Sequence, residues 1–335
     1  MAKRKEPSER LIKALIKALP KWLTVMVLCL GVLFGVLIEG GFVTLEQVQQ
    51  TLGYKVFDSG SSSVPESSRS FSVNILDVGQ GDCILIKAAD KSILIDSGER
   101  EYAPDAANFI RKSGIARLDY VIATHPHSDH IGGMGDIIEE FGADKIIVPR
   151  LPDDMTPSTS CYERFLTAVK NSGSRLTAAK AGNVYSICEI NGTAVTMTIL
   201  SPDEGAAFAD LNDYSVCVRI DYGKVSWLFT GDLSEEGEEA LLRSGQDIDV
   251  TAYKVAHHGS SSSSGADFLD AVTPRLCVIS CGSGNSYGHP HDAVMKRLKM
   301  HTESIYRTDI SSTVAVYSDG EKLYVSLPQR KDDTE

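Results

Sequence analysis

"THPHSDHIGG", Thr124–Gly133, sets three histidines and one aspartate within the six positions from His125 to His130. The preceding "DYVIAT" is apolar and rich in strand formers, and "IGGMGDIIEEFG" opens on glycine before turning helical. The histidines therefore occupy a strand-to-helix loop. Neutral imidazoles and a carboxylate are the ligand types suited to zinc and other divalent first-row metals. Four of them from so short a stretch crowd one tetrahedral ion, because the backbone cannot aim them all at one point. Two adjacent ions remove the conflict, with His125 and His127 facing one, Asp129 and His130 the other. The loop reads as half of a two-metal site.

Other strand ends supply the remainder. "WLFTGDL" closes a strand on Asp232, placed to bridge two ions through both oxygens, and "YKVAHHGS" closes another on His257 and His258. "GNSYGHPH" puts His289 and His291 in a glycine-rich loop before a helix. Seven of the eight histidines thus lie in three loops that follow strands, and His301 reads as an ordinary helix-end residue.

Around these loops, Val- and Ile-rich segments such as "FSVNILDV", "CILIKA", "SILIDSG", "KIIVPR", "SVCVRIDY" and "RLCVIS" alternate with helix-like ones. The helical segments are "PDAANFIRKSG", "GDIIEEFG", "CYERFLTAVKNSG", "SEEGEEALLRSG", "ADFLDAV" and "HDAVMKRLKM", with stop signals at Gly114, Gly142 and Gly173. Interleaved strands and helices imply an α/β sandwich with covered sheet faces. The seven cysteines show no CxxC spacing, and most fall in strand-like runs, as buried free thiols do.

Charge is uneven over the 335 residues. Residues 1–21 carry a net +5 against a total of −12, leaving −17 for the rest. So acidic a body excludes a broad basic face for nucleic acid, and a polyanion would have to be gripped by metal or a small basic patch. "WLTVMVLCLGVLFGVLI", Trp22–Ile38, runs seventeen residues without charge behind that basic head. It reads as a single transmembrane anchor with a cytoplasmic amino terminus and an extracellular body; the alternative is a cleaved signal peptide and secretion. The expected organisation is a basic head (1–21), anchor (22–38), short helix and Ser-rich tether (39–70), main α/β domain (71–329) and polar tail (330–335).

HxHxDH after a strand, then GD, then HHGS resembles the metallo-β-lactamase fold superfamily, which implies a four-layer αβ/βα sandwich. "LDVGQGDCILI", "ILIDSG", "NDYSVCVRIDYG", "LFTGD", "KVAHHGSSSSS" and "GNSYGHPH", in that order, are similar to the hydrolase domain of ComEC-type competence proteins, over about residues 71–327. The long multi-helix channel of those proteins has no counterpart here, so the resemblance implies a tethered, stand-alone relative. It also implies His125 and His127 as ligands of one ion, Asp129 and His130 of the second, Asp232 as bridge, and His258, with His257 as the alternative, completing the second. Many members carry a further histidine about twenty residues before the GD aspartate. This chain has "LNDYSV" there, so Asp213 substitutes or water fills the place, and oxygen ligands tilt preference from zinc towards manganese.

"DVGQGD" reads equally as a glycine-dependent hairpin turn and as a source of Asp77 or Asp82 to orient the histidines, and Asp96 in "IDSG" could do likewise. The serine run after HHG reads as a flexible loop or a phosphate contact. Lys254, Arg219 and Arg307 are candidate anion contacts, though plain surface or core-edge positions suit each of them better. No GxSxG nucleophile motif is present. The expected activity is hydrolysis by water activated between two divalent ions, Zn2+ or Mn2+, with Asp129, His257 and His289 assisting. A phosphodiesterase or nuclease acting on extracellular DNA or surface phosphodiesters is the leading expectation. The alternatives are hydrolysis of a β-lactam or lactone and a non-catalytic surface binding module.

Overall fold

Side chains along the central strands point alternately into two different apolar seams, and this alternation builds the architecture. A computed structural model describes residues 64–328. The chain forms β1 (Phe71–Ile75), β2 (Ile84–Ala88), β3 (Lys91–Ile95), β4 (Leu118–Ile122), β5 (Ala143–Val148) and β6 (Arg175–Ala178). It continues through β7 (Val184–Ile190), β8 (Thr193–Ser201), β9 (Cys217–Tyr222), β10 (Val225–Phe229), β11 (Ala252–Lys254), β12 (Leu276–Ile279) and β13 (Ile305–Arg307). Finally β14 (Val314–Ser318) and β15 (Leu323–Ser326) return to the first sheet. That sheet has eight strands, ordered β15-β14-β1-β2-β3-β4-β5-β6; the second has seven, ordered β13-β12-β11-β10-β9-β8-β7.

The helices are α1 (Ala103–Lys112), α2 (Ser128–Ile131), α3 (Met134–Phe141), α4 (Ser160–Ser172), α5 (Glu235–Ser244), α6 (Ala266–Val272), α7 (Asp292–His301) and α8 (Thr308–Ser311). Ile84 and Ile86 of β2 meet Trp227 and Phe229 of β10 in the seam between the sheets. Leu85 instead joins Ile110 of α1, Ile138 of α3 and Phe165 of α4 outside the first sheet. Leu228 likewise joins Leu241 of α5, Phe268 of α6 and Val294 of α7 outside the second. Three apolar seams make four layers, αβ/βα. Strands covered on both faces read as continuous apolar runs, which is why they stood out in the sequence.

Strand direction decides where function can gather. β3, β4, β5 and β6 run parallel, as do β10, β11, β12 and β13. β2 is antiparallel to β3, and β9 to β10. Segments after β3, β4, β10, β11 and β12 and before β2 and β9 therefore share one edge of the sandwich. There the sheets are stitched together: Val216 N donates to Thr124 O (2.9 Å) and Ser280 Oγ to Gly81 O (2.7 Å).

All six expected helical segments within this region form, and Gly142 and Gly173 cap α3 and α4. β6 ("RLTA"), β7 ("VYSICEI") and β13 ("IYR") were not expected, because each is an edge strand without a continuous buried run. The six described cysteines are free, and Cys161 and Cys188 are only partly buried. The end of the expected tether is already folded, since Glu66–Ser68 forms a helical turn with Ser68 fully buried. The expected anchor 22–38, its basic flank and the tail 330–335 lie outside the described residues, among which no helix is long and apolar enough to cross a membrane.

Candidate metal centre

Each histidine that matters is oriented by a neighbour on its far nitrogen. Asp96, just past β3, accepts from Thr124 N (2.8 Å) and Thr124 Oγ1 (2.6 Å). Its Oδ2 lies 2.7 Å from His130 Nδ1, which leaves His130 Nε2 facing Asp232 Oδ1 at 3.2 Å. His258 repeats the pattern. Its Nδ1 donates to Ser280 O (3.0 Å) and lies 3.5 Å from Asp82 Oδ1. Its Nε2 faces Asp232 Oδ2 (3.3 Å) and Asp129 Oδ2 (3.4 Å). Asp82 is itself held by buried Lys254 at 2.9 Å. Such partners on the second ring nitrogen fix the tautomer and aim the first at a shared point.

Asp129, His130, Asp232 and His258 converge, each offering an atom within 4.8 Å of the others. His130 Nε2, His258 Nε2 and Asp232 Oδ1 are buried without a hydrogen-bond partner among the described residues. Three orphaned polar atoms at one point are costly unless something satisfies them. Two imidazoles and two carboxylates are a donor set that a divalent cation fits. His125 and His127 form a second pole: His125 Nε2 lies 3.1 Å from His127 Nδ1, and the His125 and His130 ring centroids are 4.1 Å apart. His257 Nε2 lies 3.6 Å from Asp232 Oδ2, so both histidines of the HHG pair reach this aspartate.

The electrostatics follow from burial. Burial alone would discharge His130 and His258, but Asp232 and Asp129 outweigh it and hold both imidazoles well above the usual histidine range. Burial raises Asp232 and Asp129, yet His130 and His258 pull both carboxyls below the usual carboxylate range. Asp82 falls to about 2 because Lys254 and His258 overcome its burial. His125, with burial and His130 acting the same way, sits well below the ordinary value.

Two glycines let the loops close. Gly81 (φ +145°) carries the backbone so near the histidine loop that a Cβ would lie 2.3 Å from Asp129 O. Gly259 (φ +83°) meets Pro290 the same way, at 2.5 Å.

Asp213 is not brought to the centre. Its carboxylate accepts from Ser234 N (2.8 Å), Ser234 Oγ (2.9 Å) and Gly237 N (3.1 Å), capping α5. Asn212 lines the cleft instead, with Oδ1 buried and unpartnered among the described residues. Asp77 closes its own turn by accepting from Gly79 N (3.3 Å).

The three expected anion contacts are committed elsewhere: Lys254 to Asp82, Arg219 to Asp221 and Asp247, and Arg307 to Asp309. The cation that sequence reasoning missed is Arg164 of α4. It lines the cleft of about 690 Å³ over the centre and has no ion pair among the described residues. His289 also lines this cleft, with Nδ1 3.3 Å from Gln80 Nε2. His301 lies at the end of α7, 3.6 Å from Asp270.

The serine run is not a flexible loop. Ser263 Oγ donates to Leu233 O, Arg297 donates to Ser263 O and Ser264 O, and buried Glu238 accepts from Ser264 N and Gly265 N.

Residues 76–282 match the family model for the metallo-beta-lactamase superfamily, and the chain belongs to that superfamily. It is 30% identical over 264 residues to ComE operon protein 3 of Bacillus subtilis, covering 72% of this chain and 32% of that protein. It is 29% identical over 256 residues to competence protein ComA of Neisseria gonorrhoeae, covering 75% and 33%. With recombination protein 2 of Haemophilus influenzae the figures are 30% over 271 residues, 79% and 31%. The chain spans about a third of the length of these relatives.

Asp96→Asn is expected to lower divalent-metal affinity by about 10- to 100-fold, read by competition with a chromophoric chelator. Unchanged affinity would contradict the orienting role.

Glu238 generates a pH dependence. Burial, against the amides of Gly265 and Ser264, pushes its carboxyl from 4.5 up to about 7. Between those values the folded chain binds more protons than the unfolded one, so this contribution to stability is full below 4.5 and lost as pH rises through about 7. Urea unfolding across that range should show the decline in the parent and a flatter profile in Glu238→Gln.

Proposed function

We propose that this chain is a metal-dependent phosphodiesterase, with nuclease action on DNA or another exposed phosphodiester, held at the membrane by residues 22–38 with its body outside. The observation that carries the reading is the pairing of the carboxylate–imidazole cluster with uncommitted donors across the cleft, Arg164 and His289. A diester offers what this arrangement lacks: anionic oxygens to accept from the donors while others approach the cluster. The names of the relatives, competence and recombination proteins, agree with a nucleic-acid phosphodiester.

Asp129, His130, Asp232 and His258 would hold one divalent cation, and His125 with His127, beside the same Asp232, a second. Zn2+ and Mn2+ both suit the mixed oxygen and nitrogen donors. Such ions, when bound, supply Lewis-acid polarisation of a phosphoryl oxygen and acidify water.

The chain's own residues do the rest. Asp96 and Asp82 keep the imidazoles in register. Gln80 Oε1 accepts from Gly282 N (3.2 Å), so its amide nitrogen donates to His289 Nδ1. The ring proton of His289 therefore sits on Nε2. Burial and the neighbouring His258 push this histidine down to about 4, so at neutral pH it serves as a fixed donor to a phosphoryl or leaving oxygen and not as a charged acid. His257, also lowered by burial, holds its Nε2 beside Asp232.

Bis-p-nitrophenyl phosphate, single-stranded DNA and nitrocefin, each with and without chelator, test the reading. Chelator-sensitive hydrolysis of the diesters is expected; turnover of nitrocefin alone overturns it. His125→Ala should lose at least about a hundredfold in diester turnover, with far-UV dichroism unchanged. Full activity in that variant would contradict the metal assignment.

A further inference from the structure

Tyr287 is the only aromatic among the strongly exposed large apolar side chains of the described residues, at 65% exposure, and it stands at the mouth of the cleft. Its ring stacks on His289, with centroids 5.5 Å apart and planes 25° from parallel. His289 in turn faces His258 with centroids 6.4 Å apart and planes 28° from parallel, so a file of rings leads from solvent to the centre.

The platform is held from behind. Ser261 N donates to His291 Nδ1 (2.8 Å), which leaves the His291 proton on Nε2 to donate to Tyr287 O (3.2 Å). Asn285 accepts from His289 N (3.0 Å) and donates to His289 O (2.7 Å). One face of an exposed phenol is thus fixed and the other is left open.

Charge gives the site a direction. On one side of Tyr287 lies a second cleft carrying Asp77, Glu99, Glu101 and Asp105, with no lysine or arginine in its lining. Arg164 lines the metal-centre cleft and not this acidic one. Glu99 and Asp129 line both clefts, so a polyanion meets carboxylates without a cation along the first path and finds Arg164 and Arg100 among the carboxylates of the second.

We propose that Tyr287 is a stacking platform for an unpaired nucleobase and Arg164 a phosphate contact for the same strand, so that the centre takes single-stranded nucleic acid. This deepens the phosphodiesterase reading and rests on it. An exposed aromatic face serves any base, because every base has a π-face. A duplex keeps its bases stacked on one another and offers none.

Binding separates this from hydrolysis. Fluorescence anisotropy on the full chain, at fixed salt and with chelator present, compares an oligothymidylate with an abasic oligomer of equal length. The parent should bind the oligothymidylate about tenfold more tightly. Tyr287→Ala should erase that preference and Tyr287→Phe keep it. Arg164→Ala should weaken both oligomers alike and lower the salt slope by roughly 0.7. Equal parent binding to both oligomers, or an undiminished preference in Tyr287→Ala, overturns the proposal. Tight preferential binding without cleavage of any diester supports the platform and sinks the phosphodiesterase reading instead.

Discussion

The carboxylate of Asp232 lies between two buried imidazoles, Oδ1 towards His130 and Oδ2 towards His258, at the line where the two sheets meet. Everything around it answers to charge in a place with little water. Asp82, Asp96 and Asp232 are almost wholly buried, and Asp129 is mostly so. Lys254 compensates one of these aspartates directly. The rest require positive charge from the imidazoles as protons, or from cations held in their place. A cluster of this kind is poor as a stabilising device, since apolar side chains of similar volume would serve the core as well. Its presence at a cleft floor is understood as chemistry.

The sandwich exists in the form needed to assemble that cluster. His130 follows β4, Asp232 follows β10, His258 follows β11 and Asp82 precedes β2, and only the facing of two sheets brings these ends to one edge. Close approach does the rest. Gly81 allows the turn before β2 to reach the backbone of Asp129, and Asp82 N donates to Asp129 O at 3.1 Å. Pinning of the serine run by Glu238 and Arg297 fixes the segment directly after His258. The fold supplies rigidity in the layers and places reactive groups in short, tied loops.

Legibility in the sequence follows the range of the interaction. The histidine loop could be read because its ligands are near neighbours whose spacing carries the geometry. The covered sheets could be read because strands buried on both faces are continuous apolar runs, whereas the count of four layers came from the family resemblance. The choice between Asn212 and Asp213 could not. Adjacent residues with similar side chains differ only in that one meets the amino end of α5 and the other the cleft. Lys254, Arg219 and Arg307 could only be named as candidates because ion pairing is settled by the assembled fold, and Arg164 is distinguished only by having no ion pair among the described residues. Tyr287 was equally silent, since exposure beside a centre is a property of the assembled edge. The serine run misled because composition signals flexibility until distant groups bind its backbone.

The central claim is that Asp232 and the imidazoles around it form a metal centre. Elemental analysis of the purified full chain and of Asp232→Ala, both confirmed folded, addresses it most directly. Divalent transition ions bound to the parent and depleted in the variant are the predicted result. An ion-free parent, or equal content in the two proteins, would contradict the account.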